Sequence, residues 1–399
     1  TASKRAQTLQ EVPIAVSVTS ADTIAKAAIT DIGDLQAVVP TLRVHQLQSS
    51  ANTGFAIRGF GNGTNDVGIE PSVGIFIDGV YRSRAGAAIS DLPRVDRIEV
   101  LSGPQSTLFG KNASAGVVSV VTPLPSGETG GYIAGGLANY SGKNFKGLFE
   151  SAISEDLSFD ISGNWSQRDG YFDNSFDGSQ QNDRDRWGIR GQVYYTPTED
   201  VAIRVIADYD EIDEICCGTT NLFNGPTSAA IGAIGGQLVP NEAFSRDSYI
   251  DLEPFNEIEN SGISVQVDVD YESFTLTSIT SYRTSDVAKN VDIDYTSAEL
   301  ISGGNQGLAL DTFTQEFRFT SNTDGDVDWM VGGFFFDESL DFNDEVIWGD
   351  KGRDYATSVI IGLGGPANTL ELLEAFEPSI NAGEAFADGT GVREKFTQE

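Results

Sequence analysis

The sequence predicts a small mixed α/β domain followed by an antiparallel transmembrane β-barrel, present in part. Three observations carry that prediction. The formal net charge of −34 belongs wholly to residues 126–399, because residues 1–125 hold ten basic and ten acidic side chains. After Pro123 and Pro125, apolar and polar residues alternate with period two in one segment after another. The connections between those segments alternate between short and long, the asymmetry of outer-membrane barrels.

Residues 12–18 alternate as a first strand. Ser20 then caps a helix reaching about residue 28, and Asp31 caps a second one ending before Pro40. Strands are expected at 41–46, 56–59 and 73–77, with glycine-rich links. Residues 97–101 form a short strand, Gly103-Pro104 turns into a brief helix, and an apolar strand closes the unit before residue 122.

Beyond residue 126, Leu157, Phe159, Ile161, Gly163 and Trp165 alternate with Ser158, Asp160, Ser162 and Asn164, and similar runs follow. One apolar and one polar face fit a strand with lipid on one side. Phe159, Ile161, Ile189, Val193, Ile203, Val205, Val265 and Val267 are assigned to the lipid face. Nine wall strands are expected, at 130–140, 144–154, 157–168, 185–196, 201–211, 259–271, 274–285, 312–321 and 328–338, with a tenth starting near 395. Short links fall at 155–156, 197–200, 272–273 and 323–326. Long segments fall at 169–184, 212–258, 286–311 and 339–395. No apolar run approaches the roughly 18 residues of a membrane helix, a test that barrel strands do not meet.

The chemistry of catalysis is missing from the pattern. His45 is the only histidine, which removes histidine triads and His-rich zinc sites. Gln105 and Asn112 break the phosphate-loop spacing before and after Gly110-Lys111, and Thr64 breaks a dinucleotide fingerprint begun at Gly59. Trp329 and Phe335 occupy the glycine and glutamate positions of a calcium loop starting at Asp324. No enzyme, cofactor or metal site is predicted. The acidity excludes a nucleic-acid binder; it fits a solvated acidic surface, or a mouth that concentrates cations. Cys216-Cys217 lies in the segment after the fifth wall strand. A vicinal disulfide stiffening the loop is the favoured reading, ahead of a free thiol pair and a metal-binding pair.

Four ordered motifs, Val12-Pro13-Ile14-Ala15-Val16, Ile57-Arg58-Gly59-Phe60-Gly61, Val73-Gly74-Ile75-Phe76-Ile77-Asp78-Gly79-Val80-Tyr81, and the run from Leu92 to Thr122 through Gly103-Pro104, together resemble TonB-dependent outer-membrane receptors. The resemblance implies a plug domain over 1–125 and the N-terminal portion of the barrel over 126–399. Such barrels have about 22 strands, so a fragment of a longer receptor is expected, with most of the TonB box missing. It also implies location in the outer membrane of a Gram-negative bacterium. Uptake would be driven by TonB with ExbB and ExbD, and the cargo would be a ferric siderophore or other iron complex. An oligosaccharide or cobalamin-like nutrient is the alternative, suggested by loop aromatics Phe223, Phe244, Tyr249 and Phe255; a passive porin or adhesin is the alternative of another class. The resemblance places ligand contacts on apical plug loops, at Gln48, Ser49, Asn62, Thr64, Asn65, Tyr81, Arg82 and Arg84. It further implies that plug arginines Arg58 and Arg97 pair with wall glutamates, Glu316 being one candidate because Phe317 and Phe319 face lipid.

Overall fold

The computed structural model describes every residue except 1–3, 6–9, 11, 48, 64–66, 85, 93, 241, 243, 323–326, 378 and 399. Its first unit begins with β1 (Val16–Ser20), where Ser20 Oγ accepts the Thr23 amide and caps α1 (Ala21–Lys26). Asp31 accepts the Asp34 amide while Asp34 accepts the Thr30 amide, so the expected second helix is one 3-10 turn over Gly33–Ala37. β2 (Leu42–Gln46), β3 (Thr53–Ile57) and β4 (Phe60–Gly61) make a small antiparallel sheet. β5 (Val73–Ile77) and β6 (Val80–Arg82) form a hairpin. Asp78 and Gly79 both have positive φ, 50° and 79°, the backbone of the tight Asp-Gly hairpin turn. β7 (Arg97–Ser102), α2 (Ser106–Phe109) and β8 (Gly116–Val121) complete the unit, in a sheet ordered β1-β7-β8-β5-β6. β8 is apolar on both faces because β7 and β5 flank it and side chains such as Leu35, Ile57 and Ile98 cover it.

The second unit is a single antiparallel sheet of ten strands. In chain order these are β9 (Gly130–Ala138), β10 (Gly142–Ser154), β11 (Leu157–Arg168), then, after two short outer strands β12 (Phe172–Asn174) and β13 (Gln180–Gln181), β14 (Arg184–Thr198) and β15 (Val201–Glu214). After α3 (Ser228–Ala233) and a short β16 (Asp247–Ser248) come β17 (Phe255–Asp270), β18 (Phe274–Asn290), β19 (Ile301–Ser321) and β20 (Met330–Trp348). Helices α4 (Gly352–Gly362) and α5 (Thr369–Phe376) precede β21 (Gly391–Gln398), the tenth wall strand. The sheet runs β21-β20-β19-β18-β17-β15-β14-β11-β10-β9.

The strands outrun the expected ends. Segment 286–311 reads as a loop in the sequence, yet β18 and β19 claim all of it except 291–300; segment 339–395 likewise yields the upper half of β20. Here Asp286, Lys289, Asn290, Gln306 and Asp344 break the apolar alternation. Beyond the lipid both faces of a strand meet water or loops, so backbone pairing persists where hydrophobic patterning ends.

The facing follows the alternation. Ile161, Ile189 and Phe317 are exposed on the outer side, while their neighbours Asp160, Arg190 and Glu316 are buried on the inner side. Tyr271, Phe274, Phe319 and Trp329 pack together beside the short turns, with Tyr271–Phe274 centroids at 4.7 Å, and Trp187 stacks on Tyr209 at 5.1 Å toward the other rim. These are the two aromatic girdles of a barrel wall. Val265, paired with Val205 and Thr280, lies between them. Val265→Arg should cost about 2–4 kcal/mol in urea unfolding from lipid, and Gln266→Arg far less; equal costs would contradict this facing.

Ile212, Ile258, Val287, Leu308 and Leu340 of the wall join the core of the first unit. The sheet therefore curls around that unit, which occupies the inner side as a plug.

Candidate functional site

The plug is seated by buried charge. Asp78, placed by its hairpin turn, accepts the amide of Thr122 at 2.8 Å and its hydroxyl at 2.8 Å. From the wall, Arg190 reaches it at 2.5 Å and Arg204 at 3.3 Å, with the Asp78 side chain 2% exposed. Glycine suits position 79 beside it because its φ of 79° strains a residue with a side chain, and a Cβ there would also crowd the Ile279 side chain of β18 at 3.0 Å. Asp31 and Asp91 of the plug meet Arg184 and Arg186 of β14, and Arg94 meets Glu150 of β10 at 2.9 Å. Charges enclosed in this way are tolerated only in pairs.

The two arginines expected to contact ligand from an apical plug loop are buried. Arg84 is 3% exposed and reaches Glu338 of β20 at 3.1 Å. Arg82 is 5% exposed and stands 3.8 Å from Asp208 of β15. Tyr81 is buried against Phe336, accepts a hydrogen bond from Asn112 at 2.8 Å and donates to the Ser83 carbonyl. The hairpin carrying these side chains lies against the wall, and wall carboxylates draw the guanidinium groups inward.

The wall glutamates also have other partners than expected. Glu316 faces inward but takes Lys4 at 2.6 Å and Arg318 at 2.6 Å, in place of Arg58 or Arg97. Arg97 is held inside the plug by Asp96 and Glu99. Arg58 has a positive φ of 52° on an exposed turn. Asn62 is bound to Ser72 and to the Glu70 carbonyl, so it shapes its own loop. Gln48, Thr64 and Asn65 lie outside the described residues.

The apical segment around Ser49 is also brought against the wall. Ser50 donates to Glu214 at 2.9 Å and accepts from Asn256 at 2.8 Å, while Lys289 donates to Asn52 and Ser49 donates to Asn52 at 3.1 Å. Glu214 is itself fixed by Arg186 at 2.6 Å. Two residues farther on, Cys216 and Cys217 are joined by a disulfide, 4% and 2% exposed, packed on Val291. The loop thus leaves β15 pinned directly above the plug.

The outer loops also frame an open pocket of about 710 Å³. Phe223 and Ile231 line it from the α3 side, Trp348, Tyr355 and Phe386 from the α4 side, and Asp294 from the loop joining β18 and β19. That loop is closed by carboxylates: Asp292 accepts the amides of Asp251, Asp294 and Tyr295, and Asp294 accepts those of Thr296 and Ile301. Burial, reinforced by Asp294 and Asp251, pushes the Asp292 carboxyl up to about 8. Burial likewise raises Asp251 to about 6 and moves Asp294 upward. A carboxyl raised on folding holds its proton in the folded state, so its stabilisation is complete below about pH 4 and is lost as pH climbs through about 8. Amide exchange at Asp251, Asp294 and Tyr295, corrected for intrinsic rates, should therefore report easier opening at pH 9 than at pH 6. Asp292→Asn should flatten that difference; a pH-independent wild type would contradict it.

Sequence reasoning missed Asp78, Arg190, Arg204, Asp208 and Glu338 as plug-to-wall contacts. A signal was present for three of the four wall residues: Arg190, Arg204 and Asp208 sit on the polar faces of alternating strands, and an enclosed charge needs a partner. Glu338 shares its face of β20 with Phe334, Phe336 and Leu340.

Residues 8–117 match the family model of the TonB-dependent receptor plug domain. Over 144 residues the chain is 28% identical to the pesticin receptor of Yersinia enterocolitica, covering 36% of this chain and 21% of that protein. The ferric yersiniabactin uptake receptor of Yersinia pestis superposes with a TM-score of 0.72 at 18% identity, over 84% of this chain and 50% of that one. The ferripyoverdine receptor of the Pseudomonas aeruginosa outer membrane gives a TM-score of 0.67 at 14% identity, over 87% and 45%. The ferric-catecholate import receptor of E. coli K12 gives 0.63 at 14%, over 85% and 51%. The chain spans about half the length of these solved receptors.

Proposed function

Because this chain belongs to the TonB-dependent outer-membrane receptors, we propose that it serves the active uptake of a ferric siderophore or similar iron complex, energised through TonB. The observation that carries the reading is the pairing of an outer pocket with a seated plug. The pocket of about 710 Å³ has the volume of small-ligand sites and their mostly apolar lining with a few polar groups. Below it, buried ion pairs hold a plug that has to rearrange before cargo passes, which is work for an energising partner. The solved receptors of the same fold include ones named for ferric yersiniabactin, ferripyoverdine and ferric catecholates. We assign residues 1–125 to the plug and 126–399 to the wall with its outer loops.

In this reading Trp348, Tyr355 and Phe386 receive the ligand. Titrating the purified receptor with a panel of iron-loaded siderophores, and following tryptophan fluorescence, should give saturable quenching by at least one. Tyr355→Ala and Phe223→Ala should each weaken it roughly ten-fold, the worth of one stacked aromatic contact of about 1.5 kcal/mol. The same aromatics suit sugar stacking, so an oligosaccharide is the second reading. Saturable binding of oligosaccharides with none of any iron complex would select it.

A further inference from the structure

The outer pocket has a charge as well as a shape. It is framed chiefly by three segments, 215–254 between β15 and β17, 291–300 between β18 and β19, and 349–390 between β20 and β21. Together they carry fourteen Asp and Glu side chains against three of Lys and Arg, with no histidine. Asp294 is the one carboxylate among the described residues that line the pocket, held in place by the amides of Thr296 and Ile301. No lysine, arginine or histidine stands among those lining residues.

The three cations of these segments are turned to other groups. Arg353 is taken by Glu374 at 2.6 Å and by the Ala385 carbonyl at 2.8 Å. Lys351 stands 3.8 Å from Asp350, while Arg246 lies over the Tyr171 ring and donates to the Tyr140 hydroxyl. On the plug, Arg84 and Arg82 face Glu338 and Asp208 of the wall. None of these cations lines the pocket.

An anion entering such a site exchanges its water for apolar rings and a carboxylate, with no cation to compensate. The acidic loops repel it on approach and draw in a cation. Repulsion of the wrong partner is itself a source of specificity.

Given iron-complex uptake as proposed above, on which this step rests, we infer that the pocket selects a ferric chelate with no net negative charge, neutral or cationic, of the trihydroxamate kind. Three singly charged hydroxamates neutralise one ferric ion, and an ammonium group on the chelator makes the complex cationic. Three doubly charged catecholates leave a trianion, which the acidic loops turn away. A cationic chelate also gains from Trp348, Tyr355 and Phe386, since aromatic rings attract ammonium groups over their faces.

The test is titration of the purified receptor, followed by tryptophan fluorescence, with ferric chelates graded by charge. Ferrioxamine B is the cationic trihydroxamate, ferrichrome the neutral one and ferric enterobactin the trianion. Saturable binding of at least one trihydroxamate is expected, with ferric enterobactin weaker by about ten-fold or more. Raising the salt concentration should narrow that gap. Thr227 lines the pocket, is exposed and makes no capping hydrogen bond from its side chain. Thr227→Lys therefore adds a cation with the fold intact, which a thermal melt verifies. This variant should weaken ferrioxamine B, strengthen ferric enterobactin and leave ferrichrome nearly unchanged. Tightest binding by a negatively charged chelate, or a ratio of ferric enterobactin to ferrioxamine B affinity unmoved in Thr227→Lys, would overturn the inference and leave the uptake reading standing. Failure of every iron complex to bind would overturn that reading, and the inference with it.

Discussion

Asp78→Asn should loosen the plug from the wall by about 3–5 kcal/mol, the cost of breaking a buried pair from one side. Asparagine tolerates the left-handed backbone of that position, φ 50°, so the turn survives and only the charge is lost. Two buried guanidinium groups, Arg190 and Arg204, then face a neutral amide. The plug should become sensitive to protease in the purified receptor, and cells should admit large antibiotics that the outer membrane normally excludes. Adding Arg190→Gln to Asp78→Asn should recover part of the loss, because one uncompensated cation is removed. A lone Asp78→Asn with wild-type protease resistance would show that the pairs do not seat the plug.

What the sequence disclosed and what it withheld divide along physical lines. Local chemistry was legible: Ser20 as a cap, Gly103-Pro104 as a turn into α2, and the apolar run that became β8 between two neighbours. So was the wall, because period two assigns Ile189 to lipid and Arg190 to the lumen without reference to any other strand. Strand ends were not legible wherever a strand left the membrane, since the contrast between faces that marks it comes from lipid. The plug-to-wall pairs were also hidden. Asp78 and Arg190 lie 112 positions apart in the sequence, and nothing local distinguishes Arg190 from Arg186 as its partner. The resemblance pointed to plug arginines meeting wall glutamates. The structure adds the reverse polarity, plug aspartates meeting wall arginines, at Asp78, Asp31 and Asp91. The outer pocket is assembled from α3, α4 and the loop between β18 and β19, segments whose patterns carry no common period.

The largest effect expected is on transport itself. The plug is fixed by at least six buried or half-buried ion pairs to the wall, so thermal motion alone does not clear the lumen. In the proposed uptake, work has to be delivered to the plug from outside the barrel. The direct measurement is accumulation of radioactive iron, supplied as the siderophore complex that binds best, by iron-starved cells producing this receptor, with TonB intact and with TonB deleted. Accumulation in the first strain and its loss in the second is the predicted result. Accumulation of no iron complex by the first strain, or equal accumulation by both, would contradict the account.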